Sequence, residues 1–500
     1  MVTVPPLYPV GDLFDAAAMY DEDYLYFFAA PGDLRKLAGH GLPSRAAVSR
    51  LRLPGVQRPM TKVYVPSTLA DLVRSACRVS RVTSELRNWA GTYTYTAGGV
   101  VNARTVDDVR RAVLGGGRVR AVGTRHSFND LADTTGTLIS VSGIEPDPVL
   151  DPGARTVTIG AGVTYGALAG WLEERGWALA NMPSLPHVTI GGAIATGTHG
   201  SGVGNQVLSA AVVGLQYVDA AGDIREARRR DPDFAGMPVG LGAFGIVTRV
   251  TLDIEPSYLI RQDVYADLTW GRVLADLDDI MSAAYSVSLL TSWLGDSVQH
   301  ALVKRRLTGL DHAVPAEFFG ARLATGPVRL ADAPADSLTP VGVAGPWSQR
   351  LPSFRASAVP GNGNEIQTEF FVPMSQGAAA LEAVRGLRKR LARVLLVSEI
   401  RAIAADDLWL SGASGRPTLA LQFTWRHNAR KVVGLLPGLQ EALAPFSARP
   451  HWGKVWRRFS LDPAYPKLAH ARDLFERLDP DGTFSNDHLQ RLGIRTAREP

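Results

Sequence analysis

Cysteine is all but absent. Cys77 is the only one in 500 residues, which excludes an intramolecular disulfide and a cysteine-based zinc site. Lysine is scarce, with none between Lys62 and Lys304, and arginine supplies most of the positive charge. The net charge is only +5, so nothing argues for nucleic acid as a partner. The stretch Met1-Val2-Thr3-Val4-Pro5-Pro6 lacks the basic and apolar regions of a secretory signal, and a cytoplasmic protein is expected. From Gly176 to Val218 there is no Asp, Glu, Lys or Arg. That run is long enough to cross a bilayer, but its Gly, Pro, Thr, Asn and His break helices and expose backbone that lipid cannot satisfy. It reads as buried, irregular backbone wrapped around a ligand, and no membrane partner is expected.

What is present is ordinary for a globular protein, 46% hydrophobic and 20% charged. Residues 1–85 stand apart. Asp12 to Asp33 is acidic and aromatic, while Leu34 to Ala70 carries basic residues and no acidic ones, and we read the segment as an extension of unknown role. From 86 to 258 short strands alternate with helices. Thr105-Val106-Asp107-Asp108 is a capping-box-like helix start, and Gly115-Gly116-Gly117 is its stop. "RTVTIGAG" alternates like a strand with Val157 and Ile159 on one face, and Thr164 caps a helix that ends at Gly176. Residues 259–455 form a second domain with long helical patterns, "GAAALEAVRGLRKRLARVL" among them, and the strands "EIQTEFFVPM", "VSEIRAIAA" and "LALQFTWRH". Residues 456–500 read as helix, turn and helix packing back on the first domain. The fold class is α+β.

Two loops look built to hold an anion: Gly123-Thr124-Arg125-His126-Ser127 after the strand Val119–Val122, and "GGAIATGTHGSGVG", Gly191 to Gly204. Glycines let backbone approach closely, and successive N–H groups cradle phosphate oxygens without a lysine. Neither is a Walker A loop, and Gly191 to Gly204 lacks the strand-turn-helix setting of a dinucleotide fingerprint. His126, His187 and His199 lie in this region, but no metal-ligand spacing supports a zinc triad, and no metal is expected.

Taken in order, "NWAG", "VGTRHSFN", "NMPSLPHVTIGGAIATGTHGSG", "LGAFGIVT", "SEIR", "FTW" and "RPHWGKV" resemble the alditol and xylitol oxidases. These are flavoproteins of the vanillyl-alcohol-oxidase type, related to the sugar-lactone oxidases. The resemblance covers roughly four fifths of the chain, from Asn88 onward. It implies a two-domain fold, with an FAD-binding domain and a substrate domain, and FAD bound covalently through His126. It implies cofactor contacts from Ala121, Val122, Gly123, Thr124, Arg125, Ser127, Ser184, Thr189, Gly192, Thr196, Gly197, Thr198, His199, Ile246 and His451.

Strand alternation puts Glu399 and Arg401 on one face, and Gln422 and Thr424 opposite Leu421, Phe423 and Trp425. Taken alone, Glu399 and Arg401 read equally well as a structural ion pair. The resemblance implies that Ser184, Glu399, Arg401, Gln422, Thr424 and Lys454 grip a polyol, with Glu399, Arg401 and Lys454 as the catalytic set. The expected reaction oxidises a terminal primary alcohol: hydride goes to flavin N5, the hydroxyl proton enters the Glu399, Arg401 and Lys454 network, and O2 becomes hydrogen peroxide. A monomer with a polyol and O2 as its partners is expected. Gln422 stands where the family's alditol oxidases often have histidine, and Pro183 where small residues are usual. An aldonolactone oxidase or dehydrogenase, and a flavin-binding relative whose catalysis has lapsed, are the competing readings.

Overall fold

The computed structural model describes residues 85–497 except 145–147, 308–312, 325–336, 359–363 and 458, together with five strands among the first 66 residues. The chain divides into two compact units, Met1–Ser80 and Arg81–Pro500. In the first, Tyr8–Val10, Ala16–Asp21, Tyr24–Ala29, Met60–Pro66 and Val48–Leu51 pair in that order, each antiparallel to the next.

The second unit is built from three main sheets. A small parallel one sets Thr137–Ser140 between Gly99–Asn102 and Val119–Ala121. The helix Val106–Leu114 follows its first strand, with the capping box in place between Thr105 and Asp108. A five-stranded antiparallel sheet orders Ile224–Arg228, Val212–Val218, Ile246–Asp253, Thr156–Gly160 and Val149–Asp151. Val157 and Ile159 are buried from its fourth strand, as period-2 alternation requires. The helix Tyr165–Glu173 is capped by Thr164, whose hydroxyl accepts from the Ala167 amide, and Gly176 beyond it takes φ +74°. One hydrophobic core joins these elements to Leu468–Leu478 and the segment down to Ile494.

The third sheet is antiparallel and has ten strands. Its central run is Leu259–Thr269, Ser297–Leu307, Ser286–Thr291, Leu395–Ile403, Thr418–Arg426 and Glu365–Pro373. One face packs on helices such as Gly377–Gly386 and Ala429–Leu443, in a second core containing Leu289, Ile400, Leu421 and Phe423. The expected long helix from Gly377 is broken. It stops at Gly386, and Arg388–Leu391 forms a separate turn, because Gly386 and the dense basic run Arg388-Lys389-Arg390 weaken continuation there.

Candidate active site

The opposite face of the ten-stranded sheet is polar. Cross-strand register sets Lys304 beside Ser286, Ser288 beside Arg401, Glu399 beside Gln422, and Gln422 beside Glu369. One row over, Thr424 pairs with Gln367. Strict alternation turns each of these to the same side while Ile400, Leu421, Phe423 and Phe370 fill the core. The polar stripe forms one end of a cavity of about 540 Å³.

The other end is built from the glycine turn. Arg125 holds φ +60° within Gly123–Ser127, a left-handed conformation that a non-glycine residue adopts only under external constraint. That constraint is visible: the Trp89 amide donates to Arg125 O at 2.8 Å, and the Arg125 guanidinium donates to Arg87 O at 3.0 Å. Asn88 completes the clasp, its Nδ2 donating to Ser127 O at 2.9 Å while Oδ1 accepts from the Thr92 and Tyr93 amides. The "NWAG" motif is thus the brace of the histidine turn. His126 stacks on Trp89 with ring centroids 5.0 Å apart. Its Nδ1 meets Thr124 Oγ1 at 3.0 Å, and its Nε2 is buried with no hydrogen-bond partner. Burial, aided by His187 nearby, lowers its pKa to about 4, so the imidazole is neutral at pH 7.

The same turn fixes the opposite motif. The Phe128 amide donates to Gly453 O at 2.7 Å, and Asn129 Nδ2 donates to Trp452 O and Lys454 O at 2.8 and 3.0 Å. "HSFN" therefore sets where "HWGK" stands. His451 accepts the Gly453 amide on Nδ1 at 3.1 Å, which puts its proton on Nε2. Burial lowers its pKa to about 3.

Of the residues expected at the cofactor, Ala121, Val122, Gly123, Thr124, Arg125, His126, Ser127, Ser184, Thr189, Gly192, Thr196, Thr198, His199 and His451 line the cavity. Gly197 and Ile246 do not line it, although their neighbours Thr196, Thr198, Gly245 and Val247 do. Alternation turns Ile246 into the core and its neighbour Val247 to the cavity, and Gly197 makes a left-handed turn at φ +66° against Val239. All six expected substrate residues, Ser184, Glu399, Arg401, Gln422, Thr424 and Lys454, line it as well, as does Pro183.

At the polar end the organising group is one the sequence reading passed over. Glu369, 1% exposed, accepts Arg401 Nη2 on Oε1 at 2.7 Å and lies 3.3 Å from Lys454 Nζ through Oε2. His199 Nε2 faces the same Oε1 at 3.1 Å, while His199 Nδ1 faces Gly200 O at 2.9 Å. Both of its ring nitrogens face acceptors, and burial, with Arg401 adding and Glu369 opposing, lowers the His199 pKa. Burial pushes the Glu369 carboxyl up, but Lys454, His199 and Arg401 together hold it well below the usual range. Arg401 also donates to Ser184 Oγ at 3.1 Å and Gln422 Oε1 at 2.7 Å. Lys454 Nζ donates to Gln367 Oε1 at 2.5 Å, and burial lowers its pKa. The signal was present in the sequence: in "EIQTEF", Glu365, Gln367 and Glu369 alternate with Ile366, Thr368 and Phe370, a strongly polar face inside a buried strand.

Arg120 was missed too. It is 2% exposed and donates to Leu131 O, Leu241 O, Gly242 O and Phe484 O, tying the cavity wall to the C-terminal segment. Burial lowers its pKa to about 10.

The cavity is polarised. Among its lining residues up to Val247 the charged side chains are Arg120 and Arg125, and the lining carboxylates (Glu365, Glu369 and Glu399) all come from strands of the ten-stranded sheet. A pyrophosphate would meet glycine backbone there and no anion. An added Cβ on Gly123 would stand 2.3 Å from Thr189 Oγ1, and one on Gly192 2.9 Å from the same atom, so the two glycine loops close on one another through that threonine. Together with the unpartnered His126 Nε2, these features fit FAD.

The FAD binding domain family matches residues 97–228, and the D-arabinono-1,4-lactone oxidase family matches residues 353–492. The chain is 38% identical to an alditol oxidase of Streptomyces sp. over 82% of its own length and 99% of that protein. It is 28% identical to an L-gulono-1,4-lactone dehydrogenase of Mycobacterium tuberculosis (81% and 98%) and 24% identical to an L-gulonolactone oxidase of Mus musculus (82% and 98%). In fold it resembles a solvent-stable cholesterol oxidase, with a TM-score of 0.67 at 17% identity over 83% of this chain and 98% of that one. Among the described residues no helix is long and apolar enough to cross a membrane. The chain belongs to the FAD-dependent alditol and sugar-lactone oxidase family.

Proposed function

We propose that the protein oxidises the terminal primary alcohol of a sugar alcohol such as xylitol or sorbitol to the aldehyde, with O2 as electron acceptor. The observation that carries this reading is the polar stripe. It offers donors (Arg401, Lys454, Thr424 and the Gln422 amide) and an acceptor (Glu399) at one end of the cavity, which suits an uncharged chain of hydroxyls. Buried groups of this kind discriminate because each one left without a hydroxyl is costly. The 38% identity to an alditol oxidase, against 28% or less to the lactone enzymes, favours a polyol over a lactone.

Bound FAD supplies the two-electron acceptor and passes the electrons to O2, giving hydrogen peroxide. The chain's part is to bind, orient and handle the proton. Ser184, Thr424 and Gln422 hold the hydroxyls, and Glu399 accepts from the reacting one. Arg401 and Lys454 stabilise the negative charge that develops as its proton leaves. His126 is the covalent tether. A neutral imidazole has the lone pair such a bond needs, and burial keeps His126 neutral. We further propose that residues 86–258, with the C-terminal segment packed on their core, form the FAD-binding domain, and residues 259–455 the substrate domain.

Anaerobic mixing with xylitol or sorbitol is expected to bleach the flavin absorbance, and admitting air to yield peroxide. Bleaching by aldonolactones and not by polyols assigns the protein to the lactone branch; bleaching by neither refutes the proposal. After acid precipitation the yellow colour is expected in the pellet, and colour in the supernatant refutes the His126 link.

A further inference from the structure

Behind Ser184, Glu399 and Arg401 lies a second cavity, of about 20 Å³. These three side chains line both cavities, so they form the partition between them. The far wall includes Ser286, Ser288 and Lys304. The partition holds one unpaired donor and one carboxylate without a protein donor. Arg401 is 3% exposed, and its Nε has no hydrogen-bond partner. The nearest Glu399 oxygen is 3.8 Å away, beyond hydrogen-bond reach. The Glu399 carboxylate, in a residue 8% exposed, accepts no hydrogen bond from protein among the described residues.

Lys304 is a buried cation that the proposed chemistry does not use and that lines this cavity. It is 6% exposed, and its Nζ donates to Leu351 O and to Pro352 O. An ammonium has three donors, so one is left for the cavity it lines. A space of this size holds a single water, and a buried water needs two to four polar partners. Here it has them: donors from Arg401 Nε and Lys304 Nζ, and acceptors in Glu399 and the serine hydroxyls.

We propose that this cavity is a built site for one water molecule, and that Lys304 acts through that water as a positioning residue for Glu399 and Arg401. The water accepts from Arg401 and Lys304 and donates to Glu399 and a serine, which holds both partition side chains at the angle they present to substrate. The consequence for turnover rests on the polyol reading above; the water site itself does not. Burial lowers the Lys304 pKa to about 8, with Glu399 opposing and Arg401 adding. Those two are the charged groups facing it, because the Ser286, Ser288 and Gln262 sides are neutral.

The test is a high-resolution crystal structure of the FAD-loaded protein, with variants. One water is expected within hydrogen-bond distance of Arg401 Nε and the Glu399 carboxylate; a cavity without it overturns the site, whatever the substrate proves to be. Ser288→Val, whose methyl groups fill the cavity, is expected to displace the water and lower kcat/KM for the polyol about 30-fold at unchanged flavin content. Ser288→Ala, which keeps the water, is expected to stay within about 3-fold of wild type. In wild type kcat/KM is expected to fall on an alkaline limb near pH 8, and Lys304→Met to lose that limb. Wild-type kinetics in Ser288→Val, or an unmoved limb in Lys304→Met, refutes the positioning role. If no polyol reduces the flavin, the crystal structure alone decides the water site.

Discussion

Arg401 lies 2.7 Å from the carboxylate of Glu369 and 3.8 Å from that of Glu399. The nearer partner is the more buried one, and it also stands 3.3 Å from Lys454. Glu369 is therefore the counter-ion that holds both cations, which leaves Glu399 free to meet a ligand. Glu369→Gln is expected to slow flavin reduction by about 10²-fold, the scale of losing one preorganised electrostatic contact. It is also expected to cost about 3–5 kcal/mol in stability, because it strands two buried cations. Glu399→Gln is expected to slow flavin reduction as well, because it removes the acceptor of the reacting hydroxyl, but with stability nearly unchanged. Stopped-flow reduction and urea unfolding of the two variants check this; equal effects in both assays would refute the division of roles.

Much of this arrangement was legible before any coordinates. The residues on the Glu399, Arg401, Gln422 and Thr424 faces follow from strand alternation, and the helix starts at Thr105 and Thr164 from their side-chain chemistry. What was not legible depends on register. Nothing local in the sequence says that Gln422 pairs with Glu369 on one side and Glu399 on the other, so the carboxylate at the centre of the network passed as one more charge in a strand. Arg120 was hidden for a related reason: its acceptors are backbone oxygens as distant as Phe484, and carbonyls carry no sequence mark.

Gly123 has a requirement separate from the cofactor. A methyl group there meets Thr189 Oγ1 at 2.3 Å, so Gly123→Ala is expected to push the two loops apart and lower FAD content severalfold. Removing the obstacle should reverse much of that. In Gly123→Ala/Thr189→Ala, flavin content is expected to recover most of the way towards wild type. Flavin absorbance per mole of protein reads this out, and absence of recovery means that Gly123 is needed only by the ligand.

Buried neutral histidines make stability depend on pH with a definite sign. His451 titrates at about 3 in the folded protein and near 6.5 when unfolded. Between those values the unfolded chain binds the extra proton, so stability is fully present above about pH 6.5 and is lost as pH falls towards 3. Urea midpoints measured from pH 7 to pH 4.5 are expected to fall, and His451→Asn to flatten the slope. An unchanged slope in that variant would mean that His451 is charged in the folded state.

Gln422 stands where the resemblance to alditol oxidases leads to the expectation of histidine. Its Oε1 accepts from Arg401 at 2.7 Å, so its amide nitrogen remains to donate to a ligand hydroxyl. A neutral histidine in the same place offers one acceptor and one donor as well, but on a rigid ring that fixes the angle between them. Gln422→His is therefore expected to keep the Arg401 contact and to alter the fit of the polyol chain beyond it. The ratio of kcat/KM for sorbitol to that for xylitol is expected to shift by about 3-fold to 10-fold, the scale of one hydroxyl contact at about 1 kcal/mol. The variant should also gain an acidic limb in its pH profile, since a protonated ring can no longer accept from Arg401. Wild-type selectivity together with a wild-type pH profile would remove Gln422 from the residues that set substrate length.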